Sequence, residues 1–189
     1  MSRGTHVVDV AVHYPVVSLL AGEPPTTKGP DYNLYMQISR TIFDAGIDND
    51  IIDDDSILAG RIENGRLWVG ENAYRALVFQ AETTMRRAVI EKALALVESG
   101  GIVIFSGSLP TATTEGGRSD PRLGPLLDRL LPSLSAAGKM ASEAVIEEHV
   151  RGGLAALIPS DVDKVPRLLR ARMEPDFISR GGPIFATHR

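Results

Sequence analysis

The first stretch that could carry chemistry is Ser106-Gly107-Ser108, which directly follows an apolar run typical of a strand. A serine here could be the nucleophile of a Gly-x-Ser-x-Gly elbow or part of a phosphate-binding loop. Neither motif is present, because the elbow spacing is absent and no Gly-Lys-Ser/Thr follows. A Thr-rich stretch also replaces the helix whose N-terminus would bind an anion. The pattern therefore favours a turn that needs a small residue.

A second stretch, Asp53-Asp54-Asp55, places three carboxylates within one turn and could bind a hard cation. Consecutive side chains point in different directions, however, and the glycine and distal glutamate of a calcium loop are missing. We therefore interpret these residues as a solvated turn that caps a helix.

The histidines and the remaining carboxylates give weaker signals. His13 and His188 could serve as acid, base or ligand, but neither has a second histidine or an obvious carboxylate partner nearby in the sequence. A structural hydrogen bond is the favoured interpretation for both. Glu82 and the pair Glu147-Glu148 are predicted to be surface charges. We accordingly predict no catalytic residue, no metal ligand and no cofactor-binding residue in this chain.

Composition excludes several functional classes. The 189 residues include no cysteine, which removes disulfides, thiolate metal sites and cysteine nucleophiles. With 43% hydrophobic residues and a net charge of -4, the chain resembles an ordinary globular protein, and nothing in its charge favours nucleic acid. No apolar run approaches a membrane span, and the N-terminus lacks a signal-peptide core. We expect no nucleic-acid partner and no membrane partner.

The chain must position these residues with a strand, helix, strand unit over residues 74–110. The apolar runs 76–79 and 102–105 are typical of strands buried on both faces. Between them, apolar residues recur at helical spacing over 85–99, with Thr83 or Thr84 as the predicted cap and Gly100-Gly101 as the stop. The two strands should be parallel, with a right-handed crossover.

A second unit of this kind precedes it. Residues 7–12 predict a strand, 20–30 a long loop, 31–46 a helix capped by Asp31, and 47–52 another strand. Asn64-Gly65 then predicts a type I′ hairpin inserted between the two units.

Regular structure is harder to assign after residue 110. The following elements are predicted: a mobile loop over 111–121, a helix over 123–134 interrupted by Pro132, a helix over 141–150, a strand over 153–158, a helix over 161–172 and a strand over 183–187.

Together these elements predict an α/β domain with a three-layer, mostly parallel sheet of the flavodoxin-like or class I glutamine amidotransferase-like kind, carrying an inserted β-hairpin. Residues 1–137 would form the core, and 138–189 would complete the domain and lead toward a further module. Ligands of such sheets bind beyond the carboxyl ends of the strands. The residues expected there to contact a ligand or a neighbouring domain are Tyr14, Asp54, Gln80, Ser106 and Ser108.

Short motifs also occur in a familiar order, at residues 10–15, 46–53, 74–79, 100–103 and 187–189. This order resembles the non-catalytic middle domain of α-L-rhamnosidase-type glycoside hydrolases of family 106. That domain is similar to the trimerisation domain of family 42 β-galactosidases. In the family, catalytic carboxylates lie on an earlier barrel and the His-Arg pair opens a β-sandwich, so the resemblance implies no catalytic residue in this chain.

The resemblance implies an accessory domain of a secreted or periplasmic enzyme, with the barrel and β-sandwich as partners. The loops 15–30 and 111–121 would then touch a neighbour or a glycan. Two alternatives stay open: an independent small hydrolase or ligand-binding protein that uses the strand-end crevice, and a module for homo-oligomerisation.

Overall fold

The computed structural model describes residues 7–21, 34–136, 143–159 and 162–177. Its strands are β1 (Val10–His13), β2 (Asn49–Ile52), β3 (Arg61–Glu63), β4 (Arg66–Val69), β5 (Asn72–Tyr74), β6 (Ala76–Gln80), β7 (Thr84–Met85), β8 (Ile102–Ser106), β9 (Ala112–Thr113), β10 (Val145–Glu148) and β11 (Leu154–Ile158). Its helices are α1 (Val16–Leu20), α2 (Leu34–Asp44), α3 (Asp54–Ala59), α4 (Arg87–Glu98), α5 (Leu123–Leu130), α6 (Pro132–Ala136) and α7 (Lys164–Arg170), with a 3₁₀ turn at Val150–Gly152.

Six strands form one central sheet in the order β10-β11-β8-β6-β1-β2. All neighbouring pairs are parallel except β10 with β11, which is antiparallel. The strands β1, β6, β8 and β11 are buried along their whole length, as continuous apolar runs in a covered parallel sheet should be. This arrangement confirms the predicted mostly parallel α/β sheet.

Two apolar layers enclose the sheet and make the fold three-layered. Successive strand residues point to opposite faces, so Leu77 and Phe79 join the core under α4 and α5, whereas Ala76 and Val78 join the core under α2 and α7. The helices α3 and α6 also lie against the first core. None of the described helices is long and apolar enough to cross a membrane.

The predicted βαβ unit around α4 is confirmed, but its cap is not Thr83 or Thr84. Thr84 lies in β7, which pairs in parallel with β9, and the residue before the helix is Arg86, whose side chain makes no capping bond. Instead the Glu115 carboxylate accepts from the Arg87 amide at 2.9 Å. Because Thr84 is paired in β7, it does not cap the helix. A carboxylate from a distant part of the chain accepts the hydrogen bond of the first-turn amide instead.

The hairpin prediction is confirmed. Asn64 and Gly65 have φ values of 51° and 73°, as a type I′ turn requires at both positions, and β3 pairs antiparallel with β4. A third strand, β5, extends the hairpin into a separate three-stranded sheet. No sequence pattern indicates this strand, because it is only three residues long and begins two residues after Gly70.

The prediction of a helix over residues 141–150 was wrong. Residues 143 and 144 are not helical, and Val145–Glu148 form the antiparallel edge strand β10. The predicted strand 153–158, the break of the helix at Pro132 and the helix around Pro166 are confirmed. Of the predicted loop 20–30, Leu20 instead ends α1, and residues 22–30 lie outside the described residues, as do the cap Asp31, the strand 183–187 and His188.

At the amino end of the sheet, three turns meet through glycines. A Cβ added to Gly101 would lie 2.9 Å from the Gly65 carbonyl oxygen, and one added to Gly153 would lie 1.9 Å from the Val97 carbonyl oxygen. These distances mean that backbone packs directly against backbone where the hairpin, the α4–β8 turn and the start of β11 come together. We call this contact the glycine junction.

Candidate functional site

The carboxyl ends of β1, β2 and β6 bring together a histidine and two carboxylates. His13 is the last residue of β1, Asp54 is the first residue of α3 directly after β2, and Glu82 follows β6 by two residues. Strand alternation places His13 on the face of Ala11, so its ring lies 5.3 Å from that of Phe79. We call His13, Asp54 and Glu82 the His13 cluster.

Both ring nitrogens of His13 face a carboxylate oxygen. Nδ1 lies 2.7 Å from Glu82 Oε1, and Nε2 lies 3.1 Å from Asp54 Oδ1. The side chains of His13 and Glu82 are each 1% exposed and that of Asp54 is 10% exposed. Carboxylates accept hydrogen bonds, so both nitrogens donate and the ring is best described as an imidazolium. The site is therefore a buried ion pair with a second carboxylate at its edge.

The electrostatics of the cluster follow from burial and charge. Burial alone would lower the pKa of His13, but the charge of Glu82 and the hydrogen bonds with Asp54 and Glu82 outweigh it and raise the pKa to about 9. Burial raises the pKa of Glu82, and the charge of His13 opposes that rise. The positive charge of the His13 ring thus offsets the free-energy cost of burying the Glu82 carboxylate.

This raised pKa predicts how stability depends on pH. Below pH 6.5 the folded and unfolded chains both hold the His13 proton, so its stabilising contribution is complete. From pH 6.5 to about 9 the unfolded chain loses the proton while the folded chain keeps it, so the free energy of unfolding falls, by at most about 3 kcal/mol. Urea unfolding from pH 6 to pH 10 measures the decrease. His13→Gln should lack it, and matching pH profiles for the two proteins would contradict the assignment.

Within the part of the chain that the structure describes, three buried polar atoms at or next to the cluster have no hydrogen-bond partner: Gln80 Oε1, Glu82 Oε2 and Thr83 Oγ1. All three belong to the chain segment that leaves β6. Two of them, Gln80 Oε1 and Glu82 Oε2, are acceptors, whereas Thr83 Oγ1 belongs to a hydroxyl that can also donate. A buried acceptor without a donor costs on the order of 1–3 kcal/mol, and more when it is charged.

The chemistry open to this arrangement is narrow. A general base needs a ring nitrogen within reach of a substrate proton, and both nitrogens of His13 already face carboxylate oxygens. Within the described residues, no serine or threonine hydroxyl is bonded to His13, and no group of three His, Asp or Glu side chains has the geometry of a metal site. The geometry instead favours a structural role in which His13 holds three chain segments together.

A separate cavity of about 600 Å³ lies beyond the carboxyl ends of β8 and β11. Leu123, Leu127 and Leu157 give it an apolar lining, and Ser108 and Arg118 contribute polar groups. Its volume is in the range of small-molecule sites. Within the cavity lining there is no aromatic side chain that could stack on a sugar ring.

The segment 111–121 borders this cavity, and buried polar contacts anchor it. Asp120 Oδ2 accepts from Thr113 Oγ1 at 2.5 Å and from Arg87 Nη1 at 2.8 Å, and Asp120 Oδ1 accepts from the Arg122 amide at 2.9 Å. The bond from Thr113, with those from Arg122 and Arg87, lowers the pKa of Asp120. The segment also contains the short strand β9, so the expectation of a loop without regular structure was incomplete.

We expect Asp120→Asn to lower the melting temperature and to increase proteolysis within 111–121, because the amide cannot replace the charge that Arg87 contacts. Glu91→Gln is the matched control, since Glu91 lies 3.8 Å from the same arginine at a half-exposed position. Thermal melts and limited proteolysis check both variants. An Asp120→Asn protein as stable and as resistant as Glu91→Gln would contradict the anchoring role.

Solved structures of known proteins share this fold, although the sequence by itself matches no known family. No family model matches the sequence, and no curated protein matches it. Among solved structures, a rhamnosidase from Novosphingobium sp. PP1Y matches with a TM-score of 0.53 at 21% identity, over 92% of this chain and 14% of that chain. Two structures of Gan42B, a GH42 beta-galactosidase, match with TM-scores of 0.52 and 0.58 at 12% and 11% identity, over 87% of this chain and 29% of those chains. The second is a catalytic mutant from G. stearothermophilus.

The likeness is one of fold. This chain spans between 14% and 29% of the length of the glycoside hydrolases that it matches. The resemblance to a rhamnosidase and to GH42 beta-galactosidases is thereby confirmed at the level of fold. The assignment to family 106 and the flavodoxin-like description stay predictions.

The structure separates the five residues predicted as ligand or domain contacts. Asp54 belongs to the His13 cluster, Gln80 is buried beside it, and Ser108 lines the cavity. Ser106 is 2% exposed inside β8, and the Tyr14 amide donates to the Ile52 carbonyl at 2.8 Å. Their role as contacts stays a prediction.

Two further expectations were wrong. His13 has two carboxylate partners rather than none, and Glu82 is buried rather than a surface charge. Sequence distance hid these pairs, since His13 lies 41 residues from Asp54 and 69 from Glu82. The available signal was that all three residues sit at or just after the carboxyl ends of predicted parallel strands.

The capping role of the aspartate turn is confirmed: Asp53 accepts from the Ser56 amide at 2.8 Å, and hydrogen bonds from the Ser56 side chain and from this amide lower the pKa of Asp53. Asp55 is exposed and pairs with Arg86 at 2.6 Å. Asp54 alone turns inward, which agrees with the expectation that consecutive carboxylates diverge. On β10, Glu148 is a surface charge paired with Arg172, as expected.

Proposed function

We propose that this chain is a non-catalytic accessory domain of a larger, α-L-rhamnosidase-like glycoside hydrolase. The supporting observation is that its fold recurs as a minor part, 14% or 29%, of the glycoside hydrolases that it matches. The proposed partners are a catalytic barrel and a β-sandwich domain of the same polypeptide, with a glycan or a second copy as further contacts. The parent enzyme would be secreted or periplasmic.

The His13 cluster supports the same proposal. Glycoside hydrolysis commonly uses two carboxyl groups that flank the scissile bond, one of them able to donate a proton. Asp54 and Glu82 instead flank a histidine ring, and Glu82 is 1% exposed. Two carboxylates that both bind the same buried imidazolium cannot also enclose a sugar.

Hydrolysis assays test this proposal directly. We expect the purified chain not to hydrolyse aryl α-L-rhamnosides or aryl β-galactosides, whereas the enzyme encoded by the complete reading frame should hydrolyse a glycoside. Activity of the isolated chain that survives repurification and is lost in His13→Gln would overturn the proposal. A reading frame that encodes no glycosidase catalytic domain beside this chain would overturn it as well.

One observation favours a second function, which is binding of a small amphipathic molecule in the cavity beside Ser108. The leucine lining and the polar groups of Ser108 and Arg118 suit such a ligand. A thermal-shift screen with sugars, nucleotides and flavins tests this alternative. Gly124→Leu should abolish any stabilisation if the ligand occupies the cavity, because Gly124 lines it. A screen without hits counts against it.

A further inference from the structure

The His13 cluster lies at the point where the order of the sheet reverses. The strand β1 has β2 on one side and β6 on the other, so the chain builds the sheet outward from β1 in both directions. The crevice above such a point is where open parallel sheets bind ligands. Here one side chain, His13, bridges the crevice from β1 to the starts of the two segments that leave β2 and β6.

Ala81 and Glu82, here called the Glu82 segment, lie between β6 and the strand β7, which β9 holds: the Thr83 carbonyl accepts from the Thr111 and Ala112 amides at 2.9 and 3.1 Å, and Thr84 pairs with Ala112. The Ala81 amide donates to the Ser106 carbonyl at 2.7 Å, the Thr84 amide donates to Ser18 Oγ at 3.1 Å, and Ser18 Oγ donates to the Thr84 carbonyl at 2.7 Å. Ala81 has a φ of 46°, which lies in the left-handed region that alanine rarely adopts. The segment is therefore held in a conformation that its own backbone does not prefer.

The charge of the His13 ring determines whether the arrangement in which it contacts Glu82 and Asp54 is stable. Among the described residues, Glu82 Oε2 has no hydrogen-bond donor, and the buried carboxylate is balanced by the positive ring of His13. The other titratable groups that face or adjoin the ring in the described structure are Asp54, Asp53 and Tyr14, while β2 and β6 contribute Ile52 and Phe79. No second cation among these residues could replace the imidazolium.

We propose that the His13 cluster is a proton-dependent switch. While the ring carries both protons, it holds the Glu82 segment and the start of α3 against β1 and closes the crevice. When hydroxide removes one ring proton, the buried Glu82 carboxylate loses its counter-charge. The turn at Ala81 and Glu82 then moves outward so that water can solvate the carboxylate, and the crevice opens, while Gln80 stays paired in β6 and Thr84 in β7.

The test uses the unmodified chain. Nitrogen-15 NMR of the histidine rings should find both His13 nitrogens protonated at pH 7 and one of them deprotonated at pH 10. Over the same range, the hydrogen-exchange protection factor of the Ala81 amide should fall about tenfold or more, while those of the Thr84 amide, bonded to Ser18, and of Val103 and Ile104 in β8 stay constant. Protection factors remove the intrinsic pH dependence of exchange.

Two variants separate the switch from general loosening at high pH. Glu82→Gln keeps the shape but removes the charge, so the opening should be lost because no carboxylate remains to be solvated, and the midpoint of the ring titration should move toward neutral pH. Asp54→Asn should move it less, because Asp54 is partly exposed. His149→Gln, which removes a ring bonded to the Leu130 carbonyl, should leave the midpoint unchanged. A single-protonated His13 at pH 7, or protection that stays constant while the ring titrates, would overturn the proposal.

Discussion

Replacing His13 with alanine should lower the free energy of unfolding at pH 7 by about 3–5 kcal/mol, the cost of removing one partner from a buried ion pair. The variant leaves Glu82, 1% exposed and already short of one donor, without its counter-charge. It also opens a void beside the stacked rings of Phe79 and Phe105. Urea unfolding at pH 7 measures this decrease in the free energy of unfolding.

The matched control is His149→Ala, which removes a ring bonded to one backbone carbonyl at a partly buried site. Its expected cost is about 1 kcal/mol. The double variant His13→Leu/Glu82→Met removes both charges and fills the space, so it should be more stable than His13→Ala. If His13→Ala cost no more than His149→Ala, or if the double variant were the least stable, the ion pair would not be what stabilises this end of the sheet.

Gly153→Ala should cost about 3 kcal/mol or more, because the new methyl group would lie 1.9 Å from the Val97 carbonyl oxygen. The cause is steric, since Gly153 has φ -67° and ψ 156°, values that any residue can adopt. The backbone atom it meets belongs to the last turn of α4 and cannot rotate away. We expect the Gly153→Ala substitution to push the start of β11 away from the last turn of α4 at the glycine junction.

Its neighbour Gly152 provides the control. Gly152 has φ 78° and an added Cβ would meet nothing within 4 Å, so Gly152→Ala carries the conformational cost alone, about 1–2 kcal/mol. Thermal and urea unfolding of the two variants compare steric overlap with backbone strain at adjacent residues. Equal losses would mean that the junction adapts and that its close packing contributes little.

Much of the sheet could be predicted from sequence because its signals are local. The run 76–79 is apolar throughout, α4 repeats its apolar residues at helical spacing, and Asn64-Gly65 requires a specific turn. Each of these patterns lies within a short window and agrees with the tertiary structure. The fold class followed from their alternation.

The strand β10 could not be predicted because tertiary pairing overrides its local preference. Residues 141–150 are rich in Ala and Glu, which favour helices. In the structure Val145 faces Leu157 and Glu147 faces Ala155 across an antiparallel pair, and burial along β10 alternates as in a one-sided strand. Short edge strands take their conformation from the neighbour they pair with.

The His13 cluster was missed for a related reason. Its contacts join residues far apart in sequence, and their proximity depends on which strands become neighbours in the sheet. The order that places β1 between β2 and β6 follows from packing of the whole chain. Chemical type alone therefore could not distinguish a buried Glu82 from a surface glutamate.

The place of β11 inside the sheet bears on how the protein is made. β11 lies between β8 and β10 although it comes near the end of the described chain. While the ribosome is still adding residues 107–153, β8 therefore has a bare hydrogen-bonding edge that can recruit strands from other nascent chains. The sheet can close when residue 158 emerges, so slow translation across that interval should raise the yield of aggregated product, and a chaperone that covers β8 should lower it.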